Sequence, residues 1–240
     1  MTHQRMVYVV DHDLETRRSL SLHLAAIGAE AWPFSGASEF LDILGHLMPA
    51  VILLDMDMPD MHGLGLMAEL ERRGAGWPVV GMSAADQMKV AVEAMKRGAI
   101  DFLAKPLDAR TLHQALAPAW ESLERTLDAA EAKRGAQERI SRLTAREVDV
   151  SLALLSGQAN KTVAHEFGIS VRTVEMHRAH IMAKLGVKSL AEAAVIATQA
   201  GLDLTPAGLL HRQEREAVPL RLSGVEPGVL SDRRLASRAG

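Results

Sequence analysis

Four groups of residues in the first half of the chain bring carboxylate, imidazole, hydroxyl and ammonium chemistry into a regular pattern: Asp11, His12 and Asp13; Asp55 and Asp57; Ser83; and Lys105. Each follows a short apolar run, namely Met6 to Val10, Val51 to Leu54, Val79 to Met82 and Ile100 to Leu103. Carboxylates gathered with a hydroxyl and an ammonium hold a hard divalent cation through oxygen and balance an incoming phosphoryl group. An Asp in such a set can accept that group as a nucleophile. Taken singly, an Asp after a strand is most simply a helix cap or a turn residue, and Asp13, directly before Leu14, fits that plainer role. The recurrence of the set at matching positions is what points to a site. GMSAA is also similar to the nucleophile elbow of hydrolases, but Ala85 stands in place of its last Gly and nothing else supports a triad.

A second group lies near Ser170. Lys161 to Phe167 reads as a short helix, Gly168-Ile169-Ser170 as a tight turn and Val171 to Leu185 as a longer helix, which is the helix-turn-helix pattern. The longer helix of that motif enters the major groove and meets base edges with its N-terminal residues. Ser170, Val171, Arg172, Thr173, Glu175, Met176 and Arg178 are the candidates. Val174, Ile181 and Leu185 form an apolar stripe, leaving Arg172, Glu175, Met176, His177, Arg178 and Lys184 for solvent or DNA. Glu can accept from cytosine N4 and Arg can grip guanine at two points.

The elements that position these residues differ between the halves. In the first, apolar runs alternate with helix-like stretches such as Leu14 to Ile27 and Gln87 to Arg97. Short continuous strands of that kind are buried on both faces, so an α/β doubly wound parallel sheet is expected, with its site at the carboxyl ends of the strands. The second half reads as four short helices, the first opened by a Thr144/Glu147 capping box and stopped at Gly157. Between them, Asp108 to Arg139 carries an apolar stripe of Leu112, Leu116, Trp120, Leu123 and Leu127, which suits either packing on its own domain or a coiled-coil seam. Pro118 should kink or break this helix, and the flexible joint is expected near Ala132 to Ser141.

Composition sets the outer limits. With 240 residues, 48% of them apolar, the chain can fill two cores. It has no cysteine, which excludes disulfides and thiolate zinc sites. The start MTHQRMVYVV lacks the apolar core of a signal peptide, and no apolar run approaches the roughly 20 residues needed to cross a bilayer, so a cytoplasmic protein without membrane association is expected. Met1 to Leu107 carries 9 Lys/Arg against 14 Asp/Glu, and Ser141 to Ala200 carries 7 against 5. An acidic half beside a mildly basic one suits a cation site in the first and nucleic acid in the second.

The motifs VVDHD, LLDMDMPDMHG, GMSAAD and DFLAKP resemble the receiver domain of two-component response regulators. LTARE, NKTVA and SVRTVEMHRAHIMAKLGVKS resemble the C-terminal domain of FixJ- and LuxR-type regulators. The joint resemblance implies a five-stranded flavodoxin-like receiver over residues 1–120, a helical linker over 121–140 and an all-α helix-turn-helix domain over 141–202. Residues 203–240 extend past where the family normally ends; with Pro, Gly and Arg and no sustained periodicity they read as a disordered extension, apart from a short helix at Leu209 to Glu216 and a Val218, Leu220 and Leu222 segment that could dock on another surface. It implies that Asp55 accepts a phosphoryl group from a sensor histidine kinase, with slow autodephosphorylation as the nearest thing to enzymatic activity. Mg would be held by Asp11, Asp55 and the backbone carbonyl of Asp57. Ser83 would hydrogen-bond the phosphoryl oxygens, Lys105 would bridge them, Phe102 would change rotamer, and Lys105-Pro106 would be a cis bond.

On the DNA side, the resemblance implies a homodimer joined through Ser189 to Gln199, which reads a pseudo-palindromic double-stranded site, with RNA polymerase as a further partner. Lys161, Thr162, Arg172, Thr173, His177 and Lys184 would mostly contact phosphates, and Glu175, Met176 and Arg178 bases. A departure from the family bears on the chemistry: His12 stands where a second acid normally touches the metal. A neutral imidazole is a poor ligand for Mg, so Asp13 or the Asp57 carboxylate would have to compensate. The rival expectation is therefore a constitutive DNA-binding dimer whose receiver is degenerate.

Overall fold

A computed structural model describes residues 5–84 and 87–205. The chain divides into two units, the first ending at Lys133 and the second beginning at Arg134. None of the described helices is long and apolar enough to cross a membrane.

The first unit is a parallel sheet of β1 (Arg5–Val10), β2 (Ala29–Phe34), β3 (Val51–Asp55), β4 (Val79–Ser83) and β5 (Asp101–Ala104), in the order β2-β1-β3-β4-β5. Side chains alternate across it, because successive Cβ atoms point to opposite faces. Tyr8, Val10, Ile52 and Leu54 pack with Phe40, Leu66 and Leu70 on one face; these come from α2 (Ala37–Ile43) and α3 (Gly63–Arg72). Val7, Val9, Val51 and Leu53 pack with Leu20, Leu24, Leu112 and Leu116 on the other; these come from α1 (Leu14–Ala26) and α5 (Ala109–Ser141). A helix α4 (Met88–Lys96) precedes β5 and leaves Met88, Val92 and Met95 exposed. The strand order reverses between β1 and β3, and the crevice of a doubly wound sheet opens at that point.

Pro118 does not end α5. It removes one backbone donor, but the buried Leu112, Ala115, Leu116, Ala119 and Trp120 bind this part of the helix to the sheet. The stripe therefore serves its own domain through Leu123. Ala136 and Ile140, at the far end of α5, belong instead to the core of the second unit, so residues that the sequence assigns to a linker are packed there.

The second unit stacks α6 (Ala145–Leu155), α7 (Asn160–Glu166), α8 (Val171–Leu185) and α9 (Leu190–Gln199) around Val150, Leu152, Val163, Val174, Ile181 and Ile196. Its caps follow from sequence: Thr144 accepts from Glu147 N in a reciprocal capping box, and Ser170 accepts from Thr173 N. Gly168, with φ at +63°, makes the left-handed turn between α7 and α8 without the Cβ penalty any other residue would bring. Leu202 and Leu204 pack against the same core, so the unit runs slightly past its expected end. Residues 206–240, including a stretch at Leu209 to Glu216 that reads as a short helix and the Val218, Leu220 and Leu222 segment, lie outside the described residues.

Glu147 is buried, and its carboxylate accepts from Lys184 Nζ at 2.6 Å and from Thr144 N at 2.8 Å. The Lys184 bond and then the Thr144 bonds hold its pKa down at about 2, from an ordinary 4.5. A carboxylate depressed on folding contributes stability that is full above the unfolded value and lost as pH falls through the folded one. Thermal melts of the full chain at stepped pH should therefore show the second unit weakening between about 4.5 and about 2. Glu147→Gln should be less stable at neutral pH and show a shallower acid slope; parallel slopes for the two proteins would refute the assignment.

Candidate functional site

The sequence-selected residues of the first unit meet at the carboxyl end of the sheet. Asp11 follows β1 and is fully buried, held in place by its backbone N–H on Phe34 O at 3.2 Å. Asp55 closes β3 and is 1% exposed. Lys105, after β5, donates to Asp11 Oδ2 at 2.8 Å and lies 3.1 Å from Asp55 Oδ1. Burial pushes the Asp11 carboxyl above its usual range, against the opposing effect of the Lys105 bond. Burial alone would depress Lys105, but the two carboxylates outweigh it and raise the ammonium above its ordinary value.

His12 enters the same cluster. Its Nδ1 lies 3.0 Å from Asp55 Oδ2 and 3.9 Å from Asp11 Oδ1. Asp11, His12 and Asp55 each offer a ligand atom, all within 4.8 Å of one another. Asp13 is not part of this group, because its carboxylate is used as the N-cap of α1, accepting from Thr16 N at 2.8 Å and Thr16 Oγ1 at 2.6 Å. Asp57 also turns its carboxylate elsewhere: Oδ2 accepts from Ser83 Oγ at 2.8 Å, and Gln87 Nε2 donates to both oxygens at 2.9 Å. Neither residue thus replaces the acid missing at position 12 in this arrangement. Gln87 is the participant the sequence reading missed; a polar residue just before α4 carries no signal that it will face Asp57.

Phe102 packs beside the site. A Cβ at Gly81 would stand 2.8 Å from Phe102 Cδ2 and 2.7 Å from Met56 Cε, so the bare glycine on β4 makes room for the ring. The Lys105-Pro106 bond is cis. Ala85 and Asp86 lie outside the described residues.

In the second unit, Lys161 and Thr162 are exposed at the start of α7, and Ser170, Arg172, Glu175 and Met176 along the first half of α8; Thr173 and His177 are half-buried. Two of the candidate DNA contacts are also engaged within the unit. Lys184 is tied to Glu147, bridging α8 to α6. Arg178 stands one helical turn after the buried Val174 and lines a crevice with Leu154, Ile181, Leu190 and Ala193, so its stem packs toward the core. Ala179, His180 and Ala183 are exposed instead and share the face of α8 opposite Val174 with Arg172 and Met176. The sequence reading omitted Ala179 and Ala183 because alanine carries no chemical signal, and His180 because it lies past the N-terminal residues of the helix that were considered.

Comparison with known proteins agrees with both halves. Residues 7–117 match the family described as "Response regulator receiver domain", and residues 141–197 match "Bacterial regulatory proteins, luxR family". The transcriptional regulatory protein FixJ of Azorhizobium caulinodans is 39% identical over 207 residues, covering 83% of this chain and 97% of that protein. Among solved structures, response regulator StyR superposes with a TM-score of 0.71 at 34% identity, over 82% of this chain and all of that one (100%). Full-length FixJ from B. japonicum gives 0.52 at 33% identity, over 84% of this chain and 100% of the other. The relatives match over most of their own length and the two family models cover both halves in order, so the chain belongs to the family of FixJ-type two-component response regulators.

Proposed function

We propose that the protein is a transcription regulator switched by transfer of a phosphoryl group to Asp55. The observation that carries this reading is the buried Asp55 carboxylate, paired with Lys105 across 3.1 Å at the mouth of the sheet. A sensor kinase's phosphohistidine would supply the group: its N–P bond breaks as an Asp55 Oδ–P bond forms, and the histidine leaves with the electron pair. Lys105 would answer the added charge. Ser83 Oγ, now on Asp57, would rotate to donate to a phosphoryl oxygen at the cost of one hydrogen bond, about 1 kcal/mol. Asp11, Asp55 and the Asp57 carbonyl are hard oxygen donors and fit a divalent cation, which when bound neutralises charge on the phosphoryl oxygens. Phosphorylation adds about two negative charges, which would bias pairing between protomers through the exposed Met88, Val92 and Met95 face of α4. The pair would then bind a pseudo-palindromic DNA site and act on RNA polymerase in the cytoplasm.

On the DNA side, the reading assigns Arg172 and Lys161 to phosphates and the face around Met176 to bases. Arg172→Ala should weaken binding to every sequence alike and reduce the slope of log affinity against log salt by about one. Titrating a labelled promoter library at stepped salt tests this, and an unchanged slope would remove Arg172 from the interface.

One observation favours a second reading. His12 Nδ1 sits 3.0 Å from Asp55 Oδ2, next to the atoms that the family uses for Mg. If the imidazole displaces that ion without replacement, the receiver is a constitutive dimerisation module. That reading has DNA affinity unaffected by phosphodonors.

A further inference from the structure

The two carboxylates of the phosphorylation site divide their oxygens. Lys105 Nζ takes Asp11 Oδ2 at 2.8 Å and Asp55 Oδ1 at 3.1 Å. The other oxygens, Asp11 Oδ1 and Asp55 Oδ2, face His12 Nδ1 at 3.9 and 3.0 Å. A cation that uses both carboxylates without displacing the lysine must therefore sit beside the imidazole. Ligand atoms about 2.1 Å from one ion stand roughly 3 to 3.5 Å apart; His12 Nδ1 and Asp55 Oδ2 already do at 3.0 Å, and the 3.9 Å to Asp11 Oδ1 has to close by less than an ångström. The chain at His12 is half exposed, so the ring can adjust.

The donor set decides which ion fits. Mg keeps to oxygen and to near-ideal octahedral geometry. Imidazole is a ligand of the borderline first-row ions, which accept mixed nitrogen and carboxylate sets. Among the described residues, the neighbouring acids Asp13 and Asp57 are committed to Thr16 and to Ser83 with Gln87. We propose that this centre is built for a first-row transition-metal dication in place of magnesium, with His12 Nδ1 as its nitrogen ligand beside the Asp11 and Asp55 carboxylates. The proposal rests on Asp55 being the phosphoacceptor site of a receiver, and it names the ion that the site selects.

The test is calorimetric titration of the full chain with cobalt(II) and, separately, with magnesium, for wild type and His12→Asp. Transition ions bind carboxylates more tightly than Mg in any case, so the informative quantity is the ratio of the two affinities. Outer-shell partners alone alter metal affinity by roughly 10- to 100-fold, so exchanging a direct ligand should lower the cobalt preference at least tenfold in His12→Asp. The visible cobalt spectrum should change with it. An unchanged ratio and spectrum would overturn the metal assignment. Intact mass after acetyl phosphate, run on the same samples, separates this from the underlying reading: phosphoryl uptake by His12→Asp with an unchanged ratio sinks only the metal assignment. No uptake by either protein in either metal, with the ratio shifted as expected, sinks the phosphoacceptor reading and leaves the metal site standing.

Discussion

Asp55→Asn is expected to abolish phosphoryl uptake while leaving the fold intact. Asn keeps the shape of the side chain, and its amide can still approach Lys105, so the buried packing around β3 is retained. It cannot act as the nucleophile, because the amide oxygen has no negative charge to offer phosphorus. Intact mass after incubation with a small phosphodonor and a divalent cation should show one added phosphoryl on wild type and none on the variant. Circular dichroism should be the same for both. Uptake by Asp55→Asn at the wild-type level would place the acceptor elsewhere, the neighbouring Asp57 and Asp11 being the next candidates.

The second large effect is expected at Gly63, the first residue of α3. A Cβ there would stand 2.6 Å from Met56 Sδ, 2.8 Å from the Asp55 carbonyl oxygen and 2.9 Å from Met56 Cα. The sulfur could yield, but the other two atoms are the backbone that carries Asp55. Gly63→Ala must then move either the start of α3 or the end of β3, and overpacking of this kind costs about 1–3 kcal/mol. Because the strained backbone is that of the acceptor itself, the variant should lose phosphoryl transfer rate beyond what its lower stability explains. Chemical denaturation of the first unit, paired with uptake kinetics under conditions where both proteins are folded, measures the two effects. A stable variant with wild-type kinetics would mean that the loop between Asp55 and Gly63 is softer than its packing indicates.

Much of this was legible in the chain, for physical reasons that vary by element. β1, β3 and β4 are buried on both faces over most of their length and read as continuous apolar runs, so Asp11, Asp55 and Ser83 could be placed just beyond or at their ends from sequence alone. β2 gave no such signal. As an edge strand it buries only its two ends, Ala29 and Phe34, and leaves Glu30, Trp32 and Pro33 exposed with Ala31 half-buried, and a proline is tolerated only on an edge. The path of α5 through Pro118 was not legible, because the proline's local effect is overridden by burial against the sheet, which is a tertiary quantity.

The functional side chains show the same division. Which residue types surround Asp55 follows from strand ends, but which oxygen each partner takes does not. The cap role of Asp13 was legible from its place before Leu14, but the Asp57 bond to Ser83 and Gln87 and the split of the Asp11 and Asp55 oxygens between Lys105 and His12 are set by side-chain rotamers across the loops. On α8, heptad-like spacing correctly gave Val174, Ile181 and Leu185 to the core. It missed that Arg178 lies on the same side, only one turn from Val174, and that Lys184 is spent on Glu147. A charged residue in a helix-turn-helix is read as a DNA contact by default, yet its angular position on the helix outweighs its charge.

The central claim is that a covalent event on Asp55 changes how the second unit engages DNA. The most direct test measures DNA affinity and intact mass on one sample of the full chain, before and after phosphodonor treatment, beside Asp55→Asn handled identically. The account predicts that affinity rises in proportion to the phosphorylated fraction and that the variant, unmodified, does not respond. Full affinity without any phosphoryl, unchanged after treatment, would contradict it and establish the constitutive reading.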